Sequence, residues 1–325
     1  MSDSPASPTC WILARPDDPG RSVLTPPPEG VRFAFGWDAE DFAAAPAPDA
    51  LLDCWSGPIR LSAVIARAPA LRWLHARSAG LDGVLTPAVV AHPAVLTNGR
   101  GVFAPALAEF AVAALLHFAK DVPRLLRAQR AGSWEPYDMR ALAGATVGIV
   151  GYGSIGRETA ARLRPFGMHV LALRREPERS GTDPLVDETL PPSRVRELAE
   201  RSDAIVVAAP LTPHTRGLFG RDAIAAMKPT AVLVNVGRGP VVDEAALDTA
   251  LEERRIAGAA LDVFETEPLP PGHPFWRLPN VLLSPHCADH VPGWIEAATR
   301  LFLGNLERFR RGEALANVVD KTLGY

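Results

Sequence analysis

Cysteine is scarce: three in 325 residues. Cys10, Cys54 and Cys287 lie far apart and show neither CxxC nor Cys/His ligand spacing, which argues against a disulfide framework or a structural zinc site. The histidines outside the motifs below (His75, His92, His117, His169, His214, His273 and His290) are scattered. No HExxH occurs, so no metal is expected. An excess of charge of one sign is also missing. The formal net charge is −3, and no basic stripe stands out, so a nucleic-acid partner is not expected. Long apolar runs are absent: FAVAALLHFA at 110–119 is too short to cross a bilayer. The opening MSDSPASPTC lacks the charged-then-apolar pattern of a secretory leader. The expectation is a cytoplasmic chain with no membrane partner.

Proline is plentiful, with 32 residues, roughly double the ordinary share. Turns such as RPDDPG (15–20) and TPPPEG (25–30) divide the N-terminal third into short elements. Apolar runs recur between them: CWILA (10–14), VRFAFGW (31–37), LRWLHA (71–76) and AVLTN (94–98). Helical stretches such as LSAVIARA (61–68) separate the runs. Strands alternating with helices imply a parallel sheet, and residues 1–100 read as a first α/β domain.

After Pro105 a helical face is formed by Leu107, Phe110, Ala111, Ala114, Leu115 and Phe118. Pro105 suits a first helical turn, and Pro123 is expected to kink or end the helix. A second α/β unit follows, with strand-like runs TVGIVGYG (146–153), HVLALR (169–174), DAIVVAAP (203–210), AVLVNVG (231–237), GAALDVF (258–264) and VLLSPH (281–286). Two domains suit the length. The amphipathic WIEAATRLFLGNLERFRRGE (294–313) is expected to pack back on the first domain.

GYGSIG at 151–156 fits the dinucleotide fingerprint G-x-G-x-x-G, with a strand before it and a helix after it. Gly151 permits the tight turn, Gly153 the approach of a pyrophosphate, and Gly156 the packing of helix on strand. The amides around Ser154 and Ile155 then face the phosphates at a helix N-terminus. In such units an acid some twenty residues on usually holds the ribose of NAD. Here Arg174 lies 18 residues past Gly156, followed by Arg175. Cations there fit the 2′-phosphate of NADP. NADP is therefore favoured, and NAD stays open if Glu176 reaches the ribose.

Three further clusters fall at strand ends: NVGRGP (235–240) with Arg238, DVFETEP (262–268) with Asp262 and Glu267, and SPHCA (284–288) with His286. An arginine binds a carboxylate and polarises a carbonyl. An imidazolium donates a proton, and a carboxylate bonded to it keeps it protonated. Cys287 beside His286 lacks the turn that a nucleophile needs. Asn98 and Arg100, at the end of a strand-like run, are candidates to touch a substrate.

GYGSIG, VNVGRG, LDVFETEPLP and LLSPH together closely resemble the D-isomer-specific 2-hydroxyacid dehydrogenase family. The resemblance extends through LRWLHARSAGLDGV (71–84), ALAEFAVAALL (106–116) and NVVDKTLGY (317–325), nearly the whole chain. It implies two doubly wound α/β domains. One is a flavodoxin-like substrate domain from residues 1–100 and 291–325, the other an NAD(P)-binding Rossmann domain from 101–290. It implies Arg238, Glu267 and His286 as the catalytic set, and Ala209, Val236, Gly237, Arg238 and Asp262 as cofactor contacts. The amides of Ala79 and Gly80, with Arg238, would bind the substrate carboxylate. A homodimer formed through the cofactor domain is implied too. Formate dehydrogenases of this family carry glutamine where this chain has Glu267, which argues against formate.

The activity so implied is hydride transfer between NADPH and a small 2-oxo acid such as glyoxylate or hydroxypyruvate. Two alternatives remain: an NAD-dependent dehydrogenase of a bulkier 2-hydroxy acid, and a corepressor-like protein that senses the dinucleotide.

Overall fold

The computed structural model describes residues 7–180 and 183–325. The chain divides into two compact units, residues 1–103 with 292–325, and residues 104–291.

In the first unit, β1 (Thr9–Leu13), β2 (Arg32–Gly36), β3 (Ala50–Asp53), β4 (Trp73–Ala76) and β5 (Val95–Asn98) form one sheet in the order β2-β1-β3-β4-β5. Every pairing is parallel. This is the flavodoxin-like order, whose direction reverses between β1 and β3. Alternate residues of β1 serve opposite faces, as a strand covered on both sides requires. Trp11 and Leu13 pack with Leu61, Val64 and Ile65 of α1 (Pro58–Ala66). Cys10 and Ile12 pack with Phe302 and Leu306 of the C-terminal helix, which therefore does return to this unit.

The expectation of helices between all the early runs holds only in part. The β1–β2 and β2–β3 connections carry single 3-10 turns, Pro19–Ser22 and Ala39–Phe42. Between β1 and β2, Pro16, Pro19, Pro26, Pro27 and Pro28 remove amide donors an α-helix would need. Where proline does enter a helix, it occupies the first turn. Pro58 opens α1, and Pro87 opens α2 (Pro87–Ala91) behind the Thr86 cap. β3 lies centrally but escaped the sequence reading. Its four residues follow PAPD and end in an acid, Asp53, which masks its apolar signal.

The second unit starts with α3 (Ala104–Ala119), which ends before Pro123. That proline sits instead in the first turn of α4 (Val122–Ala131), capped by Asp121. Then come β6 (Thr146–Val150), α5 (Ser154–Leu163), β7 (His169–Leu173), β8 (Glu188–Leu190), α6 (Val195–Arg201), β9 (Ala204–Val207) and α7 (Arg221–Ala225). The unit closes with β10 (Val232–Asn235), α8 (Glu244–Glu252), β11 (Gly258–Leu261) and β12 (Val281–Leu283). The seven strands run β8-β7-β6-β9-β10-β11-β12, all parallel. The order turns back between β6 and β9, where open sheets of this kind bind ligands beyond the strand ends. β8, a three-residue edge strand, was also missed. The last helix, α9 (Trp294–Arg310), belongs to the first unit. Among the described residues no helix is long and apolar enough to cross a membrane.

Candidate active site

The glycine loop leaves β6 at the switch point of the second sheet. Gly151 has φ +98°, and a Cβ there would fall 2.6 Å from the Cα and N of Ala209. A Cβ on Gly156 would fall 2.4 Å from the Gly151 carbonyl oxygen. Both positions therefore need glycine for space, and Gly151 needs it for conformation as well. Gly153 differs: it is exposed, and a Cβ would meet nothing within 4 Å. No side chain caps α5, which begins at Ser154. An open glycine in front of uncapped helix amides, with Ser154 and Ile155 half-buried, is a cradle that fits a pyrophosphate.

Arg174 and Arg175 follow β7, the neighbour of β6. The Gly151 amide donates to Leu173 O at 3.0 Å, and the Arg174 amide to Leu190 O at 3.0 Å. The backbone of Arg174 is thereby tied beside the glycine loop. Its charge acts on Tyr152 within that loop, whose hydroxyl donates to Asp183 at 3.2 Å. Arg175 pairs with Glu176 at 3.2 Å.

Beyond β9 and β10 the backbone itself forms the wall. Ala209 is wedged between two glycines, since a Cβ on Gly237 would fall 2.7 Å from its carbonyl oxygen. Asn235, at the end of β10, shapes the next turn. Its Oδ1 accepts the Gly237 amide at 3.1 Å, and its Nδ2 donates to Arg238 O at 3.1 Å. Val236 is buried, and half-buried Arg238 donates from Nη1 to Gly237 O at 2.8 Å. Gly239 joins this turn to the following strand-end loop, for a Cβ there would fall 2.0 Å from Phe264 C.

The loops after β11 and β12 carry the titratable groups. His286 Nδ1 lies 2.6 Å from Glu267 Oε2, and Glu267 Oε1 accepts the Phe264 amide at 2.9 Å. The bond to Glu267 raises the His286 pKa above its ordinary value, against partial burial and the Arg238 charge. Burial pushes the Glu267 carboxyl upward. The His286 and Phe264 hydrogen bonds and the His286 and Arg238 charges outweigh burial and leave it lowered. The two shifts agree: each partner favours the charged form of the other. Asp262 is 1% exposed, and its Oδ1 accepts Ser284 Oγ at 2.6 Å and the amides of Cys287 and Ala288 at 2.9 and 3.0 Å. Of the sequence candidates, Arg238, Glu267, His286 and Asp262 are thus brought together electrostatically.

Ala79 and Gly80 belong to the first unit, in the loop after β4. Asn98 Nδ2 donates to Ala79 O at 2.8 Å, and Ser78 Oγ to Gly80 O at 2.8 Å. Both carbonyls are therefore turned inward. Among the described residues no acceptor meets the two amides. Asn98 also accepts the Arg100 amide at 3.3 Å, so it shapes the loop from within. Behind it, fully buried Arg77 pairs with Asp18 at 2.7 and 2.5 Å.

Asn235, Gly239 and Ser284 were not singled out from sequence. The Asn-x-Gly spacing of an Asx turn could have flagged Asn235; Gly239 and Ser284 act through contacts between elements and leave no local signal. His75 is a core residue, bonded to Thr97 at 2.7 Å and pushed by burial to a pKa of about 3. Among the described residues no group of three or more potential ligands could hold a metal ion.

This is the architecture of a nicotinamide-dependent dehydrogenase. The model of the D-isomer specific 2-hydroxyacid dehydrogenase NAD binding domain matches residues 112–288. A glyoxylate reductase of Korarchaeum cryptofilum (strain OPF8) is 37% identical, over 84% of this chain and 83% of that protein. Among solved structures, a D-isomer specific 2-hydroxyacid dehydrogenase from Xanthobacter autotrophicus Py2, in complex with NADPH and MES, superposes with a TM-score of 0.82. It is 30% identical and covers 98% of this chain and 100% of its own. An NADPH-dependent glyoxylate/hydroxypyruvate reductase from Sinorhizobium meliloti, in complex with NADP and sulfate, gives 0.84 at 27% identity, covering 98% and 100%. The chain belongs to the D-isomer-specific 2-hydroxyacid dehydrogenase family.

Proposed function

We propose that this protein uses NADPH to reduce a small 2-oxo acid, with glyoxylate and hydroxypyruvate as first substrates, to the corresponding D-2-hydroxy acid. The observation that carries the proposal is the 2.6 Å His286–Glu267 contact. With Nδ1 engaged, Nε2 is the nitrogen left to deliver a proton, and Glu267 stabilises the charged ring until it does so. Arg238 binds the substrate carboxylate and polarises its ketone. In the first unit, the Ala79 and Gly80 amides are donors of the kind that suits a carboxylate. When bound, the reduced nicotinamide supplies the hydride. The proton from His286 Nε2 completes the hydroxyl, and in the reverse direction the neutral ring accepts it.

The glycine loop, Ala209, Val236 and Gly237 hold the cofactor, with Arg174 on its 2′-phosphate and Arg175 close by. The test is kcat/KM with NADPH and NADH on both acids. A preference for NADPH of about tenfold or more, reversed in Arg174→Asp, supports the assignment, since a clamped phosphate is worth a charge-assisted bond. A preference for NADH in the wild-type protein refutes NADP. No turnover with either cofactor refutes the reductase and favours a bulkier acid or a dinucleotide sensor.

The protein is further proposed to act as a cytoplasmic homodimer joined through the second unit. α4 buries none of its residues within its own unit, leaves Leu125 and Leu126 exposed, and is followed by Trp134 at 94% exposure. Such an apolar strip marks an interface. Leu126→Glu is expected to sediment as a monomer where the wild-type chain sediments as a dimer; an unchanged profile would place the interface elsewhere.

A further inference from the structure

His286 has φ +52°, a left-handed conformation that costs energy in any residue with a Cβ and persists only where neighbours enforce it. The enforcing contacts can be traced. β11 and β12 pair in parallel with Leu261 opposite Leu283, so Asp262 and Ser284 leave the sheet side by side. The Ser284 amide donates to Leu261 O at 2.9 Å. Its hydroxyl donates to Asp262 Oδ1 at 2.6 Å, the shortest of the three bonds that meet on that oxygen. The other two come from Cys287 and Ala288. The grip therefore takes hold of the chain on both sides of His286. Ser284 is 8% exposed and Asp262 1%, so water replaces neither partner cheaply.

We propose that Ser284 is a positioning residue: through Asp262 its hydroxyl completes the grip that keeps the 284–288 turn left-handed and sets His286 against Glu267. Ser284 touches neither substrate nor cofactor in this scheme. The proposal rests on the reading of His286 as proton donor, and assigns Asp262 a role in the turn besides any contact with cofactor. Four charged groups act on or beside the imidazole: Glu267, Asp262, Arg238 and Asp289. Only Glu267 bonds to it, so loosening the turn weakens chiefly that contact. The ring then loses the partner that favours its protonated form.

The sign follows. In Ser284→Ala the His286 pKa falls toward its ordinary value, and the high-pH limb of 2-oxo acid reduction moves to lower pH. kcat falls about tenfold, the size of one lost bond to a charged acceptor. The Kd for NADPH stays as in wild type. Ser284→Thr, which keeps the hydroxyl, restores both kcat and the limb, which a purely structural role would not require. If Ser284→Ala does not fold, Ser284→Cys, with its weaker donor, is expected to show the same shift at smaller size. An unchanged kcat and limb in a folded Ser284→Ala overturns the proposal, as does Ser284→Thr failing like alanine. A loss confined to NADPH binding also overturns it and returns Ser284 to the cofactor site. A proton-NMR titration of His286 in the full chain needs no turnover. If the wild-type protein reduces no 2-oxo acid, a lowered His286 pKa in the variant still supports the grip, and an unchanged one removes it.

Discussion

The two units are built to one plan and differ in where they leave their charges. Each is an all-parallel sheet, and each uses an asparagine at a strand end to shape the loops beyond it. Asn98 pins Ala79 and Arg100 in the first unit; Asn235 pins Gly237 and Arg238 in the second. In the first unit Arg77 and Asp53 near this edge are buried, while Arg100 stays exposed. Arg77 and Asp18 neutralise each other, and burial raises the Asp53 carboxyl despite its bonds to Ser56. Beside Arg100, the backbone amides of Ala79 and Gly80 remain to offer a ligand. In the second unit the Glu267–His286 pair stays 34% and 41% exposed. The first unit thus shows neutral backbone donors and the second a titratable acid–imidazole pair, because burial decides which ionisable groups stay accessible.

The largest test of this contrast removes the titrating group. His286→Gln keeps a hydrogen-bonding side chain near Glu267 but carries no transferable proton, and kcat is expected to fall about 10²–10⁴-fold. Steady-state kinetics at saturating cofactor check it, and a loss under tenfold would move proton donation away from this pair. In the wild-type protein, reduction should hold at low pH and decline as pH rises through the raised His286 pKa. The stability linkage has a matching window. The raised imidazole contributes fully below its unfolded value of about 6.5 and loses that contribution as pH rises through the folded value. The lowered Glu267 contributes above about 4.3 and loses it as pH falls through its folded value. The pair's contribution is therefore greatest between those limits, and solvent screening keeps it small.

A smaller effect sharpens the other half of the comparison. Asn98→Ala frees the Ala79 carbonyl and lets the loop turn, so KM for the acid is expected to rise about tenfold, the size of one or two lost hydrogen bonds. NADPH binding should not change. Isothermal titration of the cofactor beside steady-state KM separates the two, and an unchanged KM would remove the first unit's amides from substrate recognition.

Much of the second unit was legible because its signals are local. Gly151, Gly153 and Gly156 serve one turn and one helix start; the clash Gly156 avoids is local, with Gly151, whereas the one Gly151 avoids is with distant Ala209. The strand-end placement of Arg238, Asp262, Glu267 and His286 followed from apolar runs that stop at polar motifs. The missed elements, β3 and β8, are short and flanked by turn residues, so periodicity had little to work on. Helical stretches were expected between the early runs, yet the prolines between β1 and β2 leave that crossover only a 3-10 turn.

The sequence alone determined the sheet class, the glycine loop and the candidate catalytic residues, because backbone sterics and hydrophobic alternation are written over a few neighbouring positions. Tertiary structure decided the rest. Strand register set Asp262 beside Ser284, three bonds on one oxygen forced His286 into a left-handed turn, and burial locked Arg77 and Asp18 away while leaving Glu267 and His286 to titrate. None of these is encoded at short range, because each depends on which residues from distant segments share a low-dielectric space.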